Sequence, residues 1–165
     1  MKMQHTTTLA YDEPLIREAA FCFWRRTVGW GFPLALVVLA VSLCVLLLGG
    51  NRSWIVGVEA SALVVGIGFA VAIYVVHLRN AMTKFQGLAS NKATFVAQDE
   101  GLSFSSELGA TTLPWSAVME VWRFERVWLL LFSKAQFTTL PLASVPLEMQ
   151  SYLLQRVEAS GGKIV

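Results

Sequence analysis

Histidine and cysteine are almost missing from this chain of 165 residues, charge is thin, and no stretch carries a run of one sign. Each scarcity removes a class of function. With two histidines and two cysteines there is no Cys/His cluster at metal-ligand spacing, so neither a structural zinc nor a metal-activated water is expected. His5 lies in a polar N-terminal stretch, and His77 stands at the end of an apolar segment, where a lone histidine serves as a polar anchor. No glycine loop is built to cradle phosphate, and no nucleophile stands beside an evident base. An enzyme is not expected, nor is a cofactor. The 13 basic and 11 acidic residues leave a net charge of +2 spread along the chain, which gives no electrostatic footprint for nucleic acid.

Apolar side chains are the abundant material. They make up 55% of the residues and give a mean hydropathy of +0.57, more than a soluble domain coated in charge can carry. A membrane protein is the first inference. Cys22 and Cys44 lie roughly 33 Å apart along helical segments, too far to bridge, and read as small hydrophobes. The stretch Val41-Ser42-Leu43-Cys44 has the outline of a lipoprotein cleavage site, but Leu43 is large for the position before the cut and the apolar run continues beyond it. A secretion signal is disfavoured because Asp12, Glu13 and Glu18 precede the first apolar run.

Two segments have the quality of membrane spans. Residues 30–48 carry no charge and reach roughly 28 Å as a helix, the thickness of a bilayer's hydrocarbon core. Pro33 sits in the first turn, where a missing donor costs little. Residues 55–78 reach roughly 36 Å, enough to cross with tilt. Between them lies only Gly49-Gly50-Asn51-Arg52-Ser53-Trp54, so the two helices form an antiparallel hairpin. Arg17, Arg25 and Arg26 precede it and Arg79, Lys84 and Lys92 follow it, whereas the connection offers only Arg52. Basic residues resist translocation, so both flanks are expected in the cytoplasm, with Trp30 and Trp54 anchoring opposite interfaces.

Outside the hairpin the pattern changes. Thr6 to Tyr11 reads as a strand. Asp12 and Pro14 mark a helix start, and that helix is expected to run on into the first span. Residues 79–86 extend the second helix. From Ala93 onward the period is that of strands: 93–98, 102–106, 111–115, 119–124, 127–132 and 137–142, with turns at Asp99-Glu100-Gly101, at Glu107-Leu108-Gly109-Ala110 and at Lys134-Ala135-Gln136. Residues 144–160 read as a helix with Met149, Tyr152, Leu153 and Val157 on one face and Gly161-Gly162 as its stop.

Asp99-Glu100-Gly101-Leu102, the run Leu113-Pro114-Trp115-Ser116-Ala117-Val118-Met119-Glu120-Val121, and the pair Val127-Trp128-Leu129-Leu130-Leu131-Phe132 with Phe137-Thr138-Thr139-Leu140-Pro141 resemble the YcxB-like family of bacterial membrane proteins. The likeness extends to the two-span hairpin; Ser133-Lys134-Ala135-Gln136 stands where the commoner pattern has Pro-Lys. What the resemblance implies is a cytoplasmic domain of pleckstrin-homology-like shape, a curved sheet closed by the C-terminal helix. The expected fold class is thus membrane α+β: residues 1–29 a cytoplasmic strand and juxtamembrane helix, 30–78 the transmembrane hairpin, and 79–165 the helix extension and YcxB-like β domain. The resemblance brings no activity that could be carried to individual residues.

Three groups of residues are candidates for function. At 100° per residue, Ala62, Gly66 and Ala70 fall within about 60° of Glu59, so a carboxylate shares a face with a stripe of small residues that would pack against the first span or a second copy. Glu59 is either an interfacial structural group or a point of ion passage or partner recognition. Arg25, Arg26, Arg79 and Lys84 form a basic collar that sets topology and attracts lipid headgroups. Trp122, Phe124 and Trp128 mark a face that either packs internally or meets a partner. The function expected is that of a bacterial inner-membrane, multi-pass protein acting by protein contact as a regulatory, scaffold or accessory subunit. Its partners would be membrane lipids and a second protein or a second copy. Two alternatives are an immunity protein binding a membrane-directed toxin, and a small membrane enzyme or transporter subunit using Glu59.

Overall fold

The computed structural model describes residues 4–87, 90–107, 109–134 and 136–165, with the side chain of Lys84 outside the described set. Leu108 and Ala135, placed in turns above, lie outside the described residues. The chain divides into two compact units, Met1–Ala19 with Asn80–Val165, and Ala20–Arg79.

The first unit contains eight strands among the described residues. Strands β1 (Gln4–Ala10), β2 (Lys92–Gln98), β3 (Gly101–Ser106) and β4 (Gly109–Pro114) form one antiparallel sheet in that order. In the other, β5 (Glu120–Arg123), β6 (Val127–Leu131), β7 (Phe137–Pro141) and β8 (Lys163–Ile164) are ordered β7-β6-β5-β8. The single curved sheet implied by the resemblance is therefore two four-stranded sheets. β1 pairs with β2 from Gln4 opposite Gln98 to Ala10 opposite Lys92, so chain from before the apolar hairpin and chain from after it share one sheet. Helix α4 (Leu147–Ala159) completes the unit, and its Met149, Leu153 and Val157 join Leu9, Phe95, Leu102, Val121, Leu130 and Leu140 in one buried cluster. Thr7 Oγ1 donates to the Ser144 carbonyl (2.5 Å) and Ser144 Oγ accepts from the Ala10 amide (3.1 Å), fastening β1 to the chain just before α4.

Three expectations are corrected here. Trp115 does not extend β4: Pro114 ends the strand, residues 115–117 form a short 3-10 turn, and the buried indole donates to the Gln98 carbonyl at 2.8 Å. β8 was not foreseen, because two residues are too few to show a period. Gly161, at φ +88°, turns the chain back after α4 and Gly162 fits against the Val118 carbonyl, laying Lys163–Ile164 parallel to β5. The helix predicted ahead of the first apolar segment is present but separate. α1 spans Glu13–Val28, its Leu15 amide capped by Asp12 Oδ1 at 2.8 Å, and stops where Gly29 adopts φ +69°.

The second unit holds the end of α1, all of α2 (Gly31–Leu48) and most of α3 (Trp54–Gln86). Two helical stretches, Gly31–Leu48 and Trp54–Thr83, are long and apolar enough to cross a membrane. The hairpin is antiparallel: Gly66 lies against Leu36, and Ser42 bonds Glu59.

Candidate functional site

In the hairpin, the inward face of α3 follows Glu59, Leu63, Gly66, Ala70 and Tyr74, each partly shielded, with mostly exposed residues between them. α2 presents Phe32, Leu36, Leu39, Ser42 and Leu46 in the same way. Gly66 permits the closest approach: a Cβ there would come within 2.7 Å of Leu36 Cδ2. Ala70 gives its carbonyl to the indole of Trp24 on α1, at 2.9 Å. Glu59, Gly66 and Ala70 thus share the face that packs within the chain. Ala62 does not; it is exposed, because the packed line passes through Leu63 instead.

The Glu59 carboxylate has an unequal environment. Oε1 accepts from the Ser42 hydroxyl at 3.1 Å, while Oε2 is buried and bonded to no described residue. The described residues contain no group of three or more His, Cys, Asp or Glu that could hold a metal ion. Ser42 was missed from sequence; its spacing from Leu39 and Leu46 on the packed face of α2 is the signal that could have named it.

Of the basic collar, Arg25, Arg26 and Arg79 are exposed, and the Arg25 guanidinium lies 4.9 Å above the Trp30 ring. Lys84 belongs to α3, with its side chain outside the described residues.

The aromatic group separates. Trp128 is 5% exposed and packs with Leu130 and Val121 in the core, so it is withdrawn from any partner face. Trp122 and Phe124 are half-buried, and the Trp122 indole donates to Glu120 Oε2 at 2.6 Å. All five residues of β6 are buried. Trp128 and Leu130 point into the cluster between the sheets, and by the two-residue period Val127, Leu129 and Leu131 point the other way. The Arg126–Glu18 ion pair (2.9 Å) ties α1 to the β5–β6 turn, and Leu15, Ile16 and Ala19 of α1 are buried.

A polar cluster unseen in the sequence joins α4 to the β2–β3 turn. Tyr152 donates to Asp99 Oδ1 at 3.0 Å, and Arg156 reaches the same oxygen at 2.9 Å and also the Asp99 carbonyl. Burial and the bond to Asp99 raise the Tyr152 phenol above its ordinary range, with Arg156 opposing. Tyr11, its hydroxyl donated to the Thr139 carbonyl at 3.0 Å, is pushed up by burial. Asp99 and Tyr152 both fall within the one stretch for which a relationship is found. A family model described as YcxB-like protein matches residues 98–155.

Those residues are similar to the YcxB-like family. The matched stretch runs from the end of β2 through most of α4, and so contains β3 to β7 and the Asp99–Tyr152 bond. The resemblance read from Asp99-Glu100-Gly101-Leu102 and from the Trp115 and Trp128 segments lies within the YcxB-like match. No curated protein and no solved structure matches the chain.

Proposed function

We propose that the chain is a two-span protein of the bacterial cytoplasmic membrane. In this reading its β unit, of pleckstrin-homology-like shape, works in the cytoplasm by protein contact as a regulatory, scaffold or accessory subunit. The observation that carries the topology is the β1–β2 pairing. Chain from before the first span and chain from after the second form one sheet, which two crossings permit and one crossing forbids. The surface of the spans agrees: α2 contains no buried residue, and Leu34, Val38, Val45, Val64, Val65 and Phe69 are each more than half exposed, a surface water would not tolerate and lipid would. Trp30 and Trp54, 74% and 77% exposed, stand where interfacial anchors belong. The basic residues flanking the hairpin favour the inner side for the β unit.

For the contact itself, Trp122 and Phe124 are the aromatic side chains left half-open on β5 and just after it. A photoreactive amino acid at position 122 or 124 of the full chain, activated in living cells, is expected to give one discrete heterologous adduct. Adducts formed only from positions 38 or 64 on the spans would favour an immunity protein or transporter subunit. Glu59, with one buried carboxylate oxygen bonded to no described residue, is the observation that keeps the transporter alternative in view. Adducts from none of these positions would overturn the contact reading.

A further inference from the structure

Within Ala20–Arg79 an open groove of about 470 Å³ lies among the three helices. Phe21, Trp24 and Val28 of α1 form one wall, Leu36 of α2 a second, and Ala70 and Tyr74 of α3 a third. The wall on α1 is pre-built. The Trp24 indole is fixed by its bond to the Ala70 carbonyl, stacks on Phe21 with ring centroids 5.9 Å apart, and meets the edge of Tyr74 at 6.0 Å. Because the indole N–H is already used, Trp24 presents ring rather than donor to whatever enters.

We propose that this groove holds an acyl chain of one anionic phospholipid, whose headgroup is held by Arg25 with Arg26. This rests on the membrane reading above. Length selects the occupant. On α3 the lining runs from Ile67 to Tyr74, roughly 10 Å of helix rise, which lies within the ~15 Å of a single leaflet. A partner span would need contact over about 30 Å, twice the leaflet and three times the groove. Charge selects the headgroup. Arg25 follows Trp24 on α1, and its guanidinium sits over Trp30, midway in sequence between the groove-lining Val28 and Phe32. The sole acidic residue in the unit's sequence is Glu59, 11 positions from Ala70 and so roughly 16 Å along α3. The groove's mouth is therefore basic, at the end of the hairpin that the topology places in the inner leaflet.

The test uses the full chain reconstituted in phosphatidylcholine vesicles carrying a trace of spin-labelled phosphatidylglycerol or spin-labelled phosphatidylcholine. Electron spin resonance reads the immobilised fraction. The expected result is selective immobilisation of the anionic probe, near one per chain. Preference should fall about fivefold for each arginine removed in Arg25→Gln and Arg25→Gln/Arg26→Gln. Ala70→Leu, which fills the groove, should release the extra probe. The arginine variants change exposed side chains, so they keep the test decisive if Ala70→Leu does not fold. Equal immobilisation of both probes, or a preference that survives loss of both arginines, would overturn the proposal. So would immobilisation that disappears with rising protein density, which would mean that a second copy occupies the groove. A chain that fails to partition into vesicles at all would instead overturn the membrane reading.

Discussion

Residues Ala20–Arg79 and the unit formed by Met1–Ala19 with Asn80–Val165 draw on the same stock of leucine, valine and phenylalanine and place it oppositely. In the β unit, Leu9, Phe95, Leu102, Leu130, Leu140 and Leu153 are wholly buried between two sheets and a helix. In the hairpin, Leu34, Val37, Val38, Val41 and Val45 face outward along a helix with no buried residue. The first arrangement is what water enforces, because apolar area hidden from it stabilises by about 25 cal/mol per Å². In lipid, as proposed for the second, that incentive is absent and close packing, Leu36 against Gly66, is the means of holding helices together. On the proposed membrane reading, one chain follows the rules of two solvents.

The contrast is broken most directly by cutting equal side chains from the two regions. Leu130→Ala should destabilise the β unit by about 2–5 kcal/mol, read as a lower melting midpoint of the purified protein, whereas Leu34→Ala should stay within about 0.5 kcal/mol. Comparable losses from both would mean that the outer face of α2 is covered by protein. Next in size is a pair of glycines. A Cβ on Gly101 would meet the Leu113 carbonyl oxygen at 2.2 Å, a backbone atom that cannot swing aside, and Gly101→Ala should cost about 1–3 kcal/mol. At Gly66 the obstacle is the end of the Leu36 side chain, so Gly66→Ala should cost less than about 1 kcal/mol.

Titration at high pH sharpens the same division, because Tyr11 and Tyr152 both belong to the β unit. Folding raises both phenols above the unfolded value of about 10, so it favours the neutral forms. Their contribution is complete below that value and is lost as pH climbs past it toward the folded-state values. Denaturant midpoints should fall above pH 10, and Tyr11→Phe should flatten that fall. An unchanged slope in the variant would remove Tyr11 from the account. Smallest of all is Glu59→Gln: insertion should be unaltered, while oligomeric state or partner capture shifts. If both properties stay as they were, the carboxylate is structural.

How far these features could be read in advance depended on their range along the chain. The spans, the turn at Gly49-Gly50-Asn51, the Asp12 cap and six of the later strands rest on neighbouring residues, and 3.6- or 2-residue periods display them. Glu59, Gly66 and Ala70 were legible as one face for that reason. Ala62 falls outside that face because a 60° sector is wider than the contact between two helices of the chain. Trp128 looked available because β6 is apolar on both faces, and its period does not show which face meets the cluster that Phe95, Leu102 and Leu153 build from distant parts of the chain. The break at Gly29, the two-residue β8, and the meeting of Tyr152 and Arg156 with Asp99 depend on tertiary contacts that no window of sequence contains.

Single-cysteine accessibility tests the two-solvent account most directly. With Cys22 and Cys44 replaced, new cysteines at Asn51 in the hairpin turn and at Lys163 in the β unit are probed in spheroplasts with a membrane-impermeant maleimide. The account predicts labelling at position 51 at once and at position 163 only after lysis. Labelling of position 163 in intact spheroplasts, with position 51 protected, would contradict it.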